Sequence, residues 1–365
     1  MNRLALSKFI ALLVGFLCIL FAYNYNKSAT YISSGPIFGS SWKLVSTEYI
    51  TDSLKQSIQT ELNRIDLIAS NYKTESELSF INKAPIDEII NVSSEMFTLL
   101  SFAEDLYKKT DGLYDITLGS LVIDEGFGPP TAMVDKSIQV SSKRFEFISD
   151  NSIVKNDNFQ FDLSSIAKGF AVDSVAKILI EANKNNFLID IGGEIIINGT
   201  NHNKPWVIGI QDPSSINDLS SSNIIGNNFL AVATSGEYRN FKYNDDGTMT
   251  SHTFNPISKL SISDKSYSVT VVSKNSSMEA DALATALNVM GPKKGIEFAN
   301  EYSLKPNKDG ISLICSASYI YGQDLDNNTP LNNIDPFKVV SGIKYQNFKN
   351  KFSCLLYTSP SPRDS

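Results

Sequence analysis

Phe187-Leu188-Ile189-Asp190-Ile191-Gly192-Gly193-Glu194-Ile195-Ile196-Ile197 decides how this chain is read. Two extended runs, Phe187 to Ile191 and Glu194 to Ile197, flank a pair of glycines, a tight strand–turn–strand signal. Similar runs recur at Ser41 to Thr47, Phe159 to Leu163, Trp206 to Ile210, Phe229 to Thr234, Ser251 to Phe254, Tyr267 to Val272 and Ser312 to Ser316. Strands outnumber helices and seldom alternate strictly with them. The expected fold is therefore α+β, with mixed or antiparallel sheets and packed helices, rather than a doubly wound parallel sheet.

The helices are read from spacing. Leu54, Ile58, Leu62, Ile65 and Ile68 recur at helical intervals over Asp52 to Ser70, with Asp52 as the expected N-cap. Ser93 to Lys109 is a second amphipathic helix, stopped near Asp111-Gly112. Ile166 to Ala182 follows the Phe159–Leu163 strand, and a last helix is expected to open at Asp281. Asn24 to Ser34 reads as a polar linker, and the Ser- and Asn-rich stretch Ile216 to Asn228 as a surface loop.

The chain of 365 residues is long enough for one large domain or two. A formal charge of −7 and the lack of a Lys/Arg cluster argue against a nucleic-acid binder, which needs a basic surface. Only three cysteines, Cys18, Cys315 and Cys354, are present, with no metal spacing and no disulfide framework. A zinc site is disfavoured further by there being only two histidines, His202 and His252.

Arg3 and Lys8 precede Phe9 to Tyr23, a charge-free apolar run. It is short for a membrane-spanning helix and fits a secretory leader. Residues 1–30 are thus a signal peptide or an uncleaved N-terminal anchor plus linker, and the rest is expected to be exported, periplasmic or anchored at the inner membrane. Residues 354–365, from Cys354 to Ser365, look like translated sequencing-adapter DNA and are set aside. Residues 31–325 form the expected catalytic domain and 326–353 a C-terminal extension.

Three stretches carry chemistry. Asp281 and Thr285 stand at i and i+4 and share one helical face. One hard anion and one neutral oxygen with no bulk between them suit Mg²⁺, although a solvated Asp with an ordinary Thr one turn on would read the same way. Ser164 to Gly169 joins a strand to a helix with small residues, so backbone groups can approach a ligand and the helix start favours anions. His252 is a candidate general base, or else a structural histidine in a turn. Gly-x-Gly-x-x-Gly, Walker and Gly-x-Ser-x-Gly signatures are all missing, which removes the usual dehydrogenase, P-loop kinase and α/β-hydrolase readings.

Five segments recur in one order: Asp162 to Asp173 (Asp-Leu-Ser-Ser-Ile-Ala-Lys-Gly-Phe-Ala-Val-Asp), Ile189 to Glu194, Ala231 to Gly236, Ser251 to Pro256, and Asp281 to Thr285. Together they resemble the ApbE family, the FAD:protein FMN transferases, from about Gly35 to about Ser316. The chain departs from that pattern at Phe38-Gly39-Ser40, where the family has Met-Gly-Thr. It departs again at Asn255, where the family has Asp, and at Ile257 to Leu260, where a Gly is missing.

The resemblance implies an ApbE-like, T-fold-like architecture and a Mg²⁺-dependent transfer of FMN from FAD, with FAD as substrate and AMP released. It implies Mg²⁺ ligation by the carbonyl of Ala167 together with Asp281 and Thr285. Around the FAD it implies Phe38, Tyr72, Leu113, Tyr114, Asp115, Ser164, Lys168, Phe170, Thr253 and Ala284, with His252 as the catalytic base and Lys168 near the pyrophosphate. The acceptor would be a threonine in an Asp-x-Ser-Gly-Ala-Thr-like motif of another protein, exported or membrane-embedded, because this chain lacks that motif. Glu194 either orients substrate or is a solvated turn residue. An FAD pyrophosphatase giving FMN and AMP, and an FAD-binding protein without turnover, are the alternatives.

Overall fold

A computed structural model describes residues 9–20, 29–128, 144–211, 219–236, 241–244, 247–262 and 267–304, and strand segments within 311–358. For residues 211, 219–223, 267 and 302 onward only the backbone is described.

The centre is a seven-stranded sheet whose neighbours all run antiparallel. Its order is β1 (Tyr31–Ile37), β2 (Ser40–Ser46), β6 (Phe187–Ile191), β7 (Glu194–Asn198), β10 (Leu230–Ser235), β13 (Tyr267–Ser273) and β18 (Phe352–Thr358). The glycine pair behaves as read: Ile191 pairs Glu194 across the turn, and Gly192 and Gly193 take φ of 64° and 107°. β18 includes Cys354 to Thr358 of the adapter-like tail. A β-prone run will pair with any open sheet edge, so this pairing carries no further argument.

Period-two alternation divides the apolar residues between the two faces of this sheet. On one face Leu44, Ile189, Ile196 and Ala231 pack with helix α6 (Ala167–Glu181) and helix α2 (Asp52–Ala69). Ala233, Val269 and Val271 meet helix α4 (Ser94–Lys109) and α7 (Ser277–Leu304) in one core. On the other face Ile197, Val232 and Val272 take Trp206 and Ile208 of β8 (Trp206–Gln211), which pairs with β9 (Leu219–Gly226). A separate three-stranded sheet, β3 (Ile89–Asn91), β5 (Ser152–Lys155) and β4 (Phe145–Ser149), packs Phe145 and Ile153 into the same core as α4 and α7. Two short helices, α3 (Glu77–Lys83) and α5 (Gly119–Asp124), are also present among the described residues.

Several sequence expectations shift. Thr51, not Asp52, caps α2, its hydroxyl accepting from Leu54 N–H at 3.2 Å, while Asp52 sits in the first turn and pairs Lys55. Tyr31 to Ser34 belong to β1 rather than a linker, and Leu219 to Gly226 form β9 rather than a loop. Phe159 to Leu163 is not a strand; only Gln160 bridges, to Leu118. Side chains satisfy that backbone instead. Asn82 accepts from Phe161 N–H at 2.7 Å and donates to the Phe161 carbonyl at 3.0 Å. Asp281 does not open its helix: α7 starts at Ser277, one turn earlier, and is broken at Gly291 (φ 72°, ψ 173°) before Pro292.

The apolar N-terminal run is helical over residues 9–20 (α1), with Phe9, Leu12 and Ile19 exposed. Among the described residues no helix is long and apolar enough to cross a membrane. Arg3, Lys8 and residues 21–28 lie outside the described residues.

Candidate active site

A cleft of about 860 Å³ opens where α6 and α7 begin and where the β6–β7 turn meets them. Leu113, Tyr114, Asp115, Ser164, Lys168, His252, Thr253, Asp281 and Thr285 all line it, so nine of the expected residues converge from separate parts of the chain. Phe38, Tyr72, Phe170 and Ala284 do not line it, nor does the side chain of Ala167.

Each exception has a local cause. Phe38 and Gly39 form the two-residue β1–β2 turn with φ of 50° and 67°, which holds Phe38 against the α2–α6 core. Phe170 is wedged between two core clusters, and Ala284 is buried on the core face of α7. Tyr72 is 63% exposed and its phenol donates to the carbonyl of Phe127 at 2.7 Å. That carbonyl belongs to a loop whose Phe127 ring lies 6.3 Å from the His252 imidazole, so Tyr72 braces the rim of the cleft. Ala167 is the first residue of α6, two before Gly169, and its side chain is buried.

Asp281 is 5% exposed, and its Oδ2 accepts from the Gly169 main-chain N–H at 3.0 Å. Burial pushes its carboxyl above the usual carboxylate range, with Lys168 and the Gly169 N–H pulling the other way. It makes no ion pair among the described residues. A buried carboxylate facing a cavity without a direct ion-pair contact is costly, and a bound cation would relieve that cost. Oxygen from a carboxylate, a hydroxyl and a main-chain carbonyl is the donor set of a hard ion such as Mg²⁺. Among the described residues no three His, Cys, Asp or Glu side chains cluster as a metal site. The residues present fit Mg²⁺.

Lys168 donates to Glu194 at 2.6 Å across the cleft floor. Burial lowers its ammonium, but Glu194 and Asp281 together outweigh that and hold it above its ordinary value. Glu194 is 3% exposed, so the solvated-turn alternative is set aside. Tyr114 is buried and shares a 3.0 Å hydrogen bond with Ser165, and burial raises its phenol.

Asp115 exposes a residue that the sequence did not flag. Its Oδ1 accepts from the Thr117 N–H and hydroxyl at 2.8 and 2.7 Å and from Arg144 at 2.8 Å. Arg144 is itself buried, pairs Glu104 at 3.1 Å, and lies 3.6 Å over the Tyr107 ring. Nothing local marks it, because its partners are 29 and 40 positions away. The departures from the family pattern are also accommodated locally. Asn255 accepts from Ile257 and Ser258 N–H at 3.0 and 3.1 Å, and Lys259, near the missing glycine, takes φ of 57°.

Comparison with known proteins agrees with this geometry. The ApbE family profile matches residues 38–307. The FAD:protein FMN transferase of Vibrio cholerae is 35% identical over 307 residues, covering 78% of this chain and 90% of that protein. The enzyme of the same name from Escherichia coli K12 is 31% identical over 265 residues, covering 69% and 75%. Among solved structures, the flavin transferase ApbE from Vibrio cholerae superposes with a TM-score of 0.65 at 26% identity, covering 90% of this chain and 97% of that one. The Thermotoga maritima ApbE protein, at 22% identity and a TM-score of 0.66, shares the fold.

Proposed function

Because this chain belongs to the ApbE family and is a flavin transferase acting with FAD and an acceptor protein, we propose that it esterifies a threonine hydroxyl of that acceptor with FMN and releases AMP. The observation that carries the reading is the convergence of Asp281, Thr285 and His252 on one cleft, with Asp281 tied to the start of α6.

In this reading the acceptor oxygen forms a bond to the phosphorus nearest the riboflavin. The bond from that phosphorus to the bridging oxygen breaks, and AMP carries the bridging oxygen away. His252 accepts the hydroxyl proton as the new bond forms. Asp281, Thr285 and the Ala167 carbonyl would hold Mg²⁺, which when bound supplies charge neutralisation at the pyrophosphate. Lys168 stands beside the same charge while anchored by Glu194. Tyr114, Asp115, Ser164 and Thr253 contribute walls and polar contacts that orient the substrate.

The acceptor motif is Asp-x-Ser-Gly-Ala-Thr or similar, and the acceptor is exported or exposed on the outer side of the cytoplasmic membrane. The exposed apolar helix at residues 9–20 supports that location, as a secretory leader or an anchor.

The test is FAD with Mg²⁺, with and without a peptide carrying that motif, read by mass spectrometry. The expected result is a peptide mass gain of one FMN with AMP in equal amount, dependent on Mg²⁺. AMP released at one rate with or without peptide, and no mass gain, would make the protein an FAD pyrophosphatase.

A further inference from the structure

Asp173 lies on α6 and faces the start of α7. Its Oδ1 accepts from Ser277 N–H at 2.7 Å, and its Oδ2 accepts from Met278 N–H at 2.9 Å and from the Ser276 hydroxyl at 2.7 Å. Ser276 in turn accepts from Glu279 N–H at 3.2 Å. The first N–H groups of a helix have no partner inside it and must be capped. Helices α2, α3 and α4 are capped by their own preceding residues Thr51, Ser76 and Ser93. α7 has the same kind of cap in Ser276, and in addition its first two N–H groups and the Ser276 hydroxyl itself go to a carboxylate 103 to 105 positions away in sequence.

A second contact joins the same two helices. A Cβ on Gly169 would stand 2.4 Å from the Ser277 carbonyl oxygen and 2.7 Å from the Met278 Cα, so only glycine lets the backbones meet there. Asp281 follows Ser277 by one turn and Thr285 by two, while α6 contributes Ala167 and the Gly169 N–H that Asp281 accepts.

We propose that Asp173 is a positioning residue for the transfer reaction. By clasping Ser276, Ser277 and Met278 it sets the height and rotation of the first turns of α7 against the start of α6. The oxygens of Asp281, Thr285 and Ala167 are then in place before a cation arrives. The proposal rests on the Mg²⁺ reading of that site. Asp173 touches neither substrate nor cation; its effect passes through the backbone of Ser276–Met278.

The experiment uses Asp173→Ala and Asp173→Asn, with Ser93→Ala as a control that removes the α4 cap without touching this junction. Two readouts are taken against Mg²⁺ concentration: the rise in Tm of the protein alone, and FMN transfer to the Thr peptide at saturating FAD. Supporting members of a metal site typically change affinity by about 10- to 100-fold when removed. The half-saturating Mg²⁺ of Asp173→Ala is therefore expected to rise about tenfold or more in both readouts, with a smaller loss of kcat at saturating Mg²⁺. Asp173→Asn should lie between, because an amide can serve Ser277 N–H with its oxygen but turns hydrogens toward the remaining donors. It also carries the test if the alanine variant does not fold. Ser93→Ala should lower Tm and leave half-saturating Mg²⁺ unmoved. If the Asp173 variants lose Tm but keep the wild-type Mg²⁺ dependence, Asp173 is structural only and the proposal fails. If the wild-type protein does not respond to Mg²⁺ in either readout, the metal reading fails and takes the proposal with it.

Discussion

Lys168 and Glu194 are joined by a 2.6 Å ion pair that ties the first turn of α6 to the β6–β7 turn on the floor of the cleft. The sequence placed Lys168 beside the pyrophosphate as a point charge; in the structure that charge is already anchored. The glutamate is nearly inaccessible while Lys168 is 32% exposed. Burial pushes the Glu194 carboxyl above the usual carboxylate range, with Lys168 opposing. Its Oε2 is buried without a hydrogen-bond partner among the described residues, a cost borne inside the site.

Removing Glu194 leaves a largely buried ammonium with less to hold it. Glu194→Ala is expected to lower stability by about 1–3 kcal/mol, the range for orphaning a buried polar group, tempered by the water that reaches Lys168. Lys168→Ala and the double variant complete a cycle in urea denaturation. The double variant should lose less than the sum of the singles. Simple additivity would show that the contact carries no energy.

In the proposed reaction Asp281 is a ligand rather than a core residue. Burial costs its charge more than Lys168 and the Gly169 N–H return, so Asp281→Ala should be neutral or stabilising in Mg²⁺-free buffer. The wild type should gain Tm on adding Mg²⁺ and the variant should not, and FMN transfer by the variant should vanish. Full transfer by Asp281→Ala at ordinary Mg²⁺ would remove Asp281 from the metal site.

His252 is held at the cleft wall beside the Phe127 ring. His252→Asn is expected to slow FMN transfer by roughly 10²–10⁴-fold, the usual reach of a general base. FAD affinity, followed by flavin fluorescence, should change far less. A variant with weakened FAD binding and normal turnover at saturation would make His252 a binding residue.

Much of this was legible because it is local. The Gly192-Gly193 turn and its strands follow from one stretch, and α4 and α6 begin within a residue of expectation, at Ser94 and Ala167. Asp281 and Thr285 share a face because helical spacing makes them do so. What was not legible depends on partners far along the chain. Phe159–Leu163 has strand composition, but the Asn82 side chain takes the Phe161 N–H and donates to the Phe161 carbonyl. Phe38 and Phe170 carry family motif positions, yet core packing decides where their rings go. Arg144 and Asp173 matter through residues 29 to 105 positions away, and no window around either shows it.

Lys155 offers a test of the fold away from the cleft. Its side chain is buried in the small β3–β5–β4 sheet, donating to the carbonyls of Asn82 and Ala84 at 3.2 and 3.4 Å, with its ammonium 5.4 Å from the centre of the Phe159 ring. Burial lowers its pKa, and no carboxylate pairs with it among the described residues. In the folded protein it therefore gives up its proton at a lower pH than the unfolded chain, whose lysines titrate near 10.4. Through that interval the unfolded state binds more protons, so this residue makes stability rise with pH. Lys155→Met keeps the apolar stem and removes the titration. The unfolding free energy of the wild type minus that of the variant should accordingly become more favourable to the wild type between pH 7 and pH 10, measured by urea denaturation at each pH. A difference that stays flat, or moves toward the variant, would show that the Lys155 ammonium is not penalised by its surroundings.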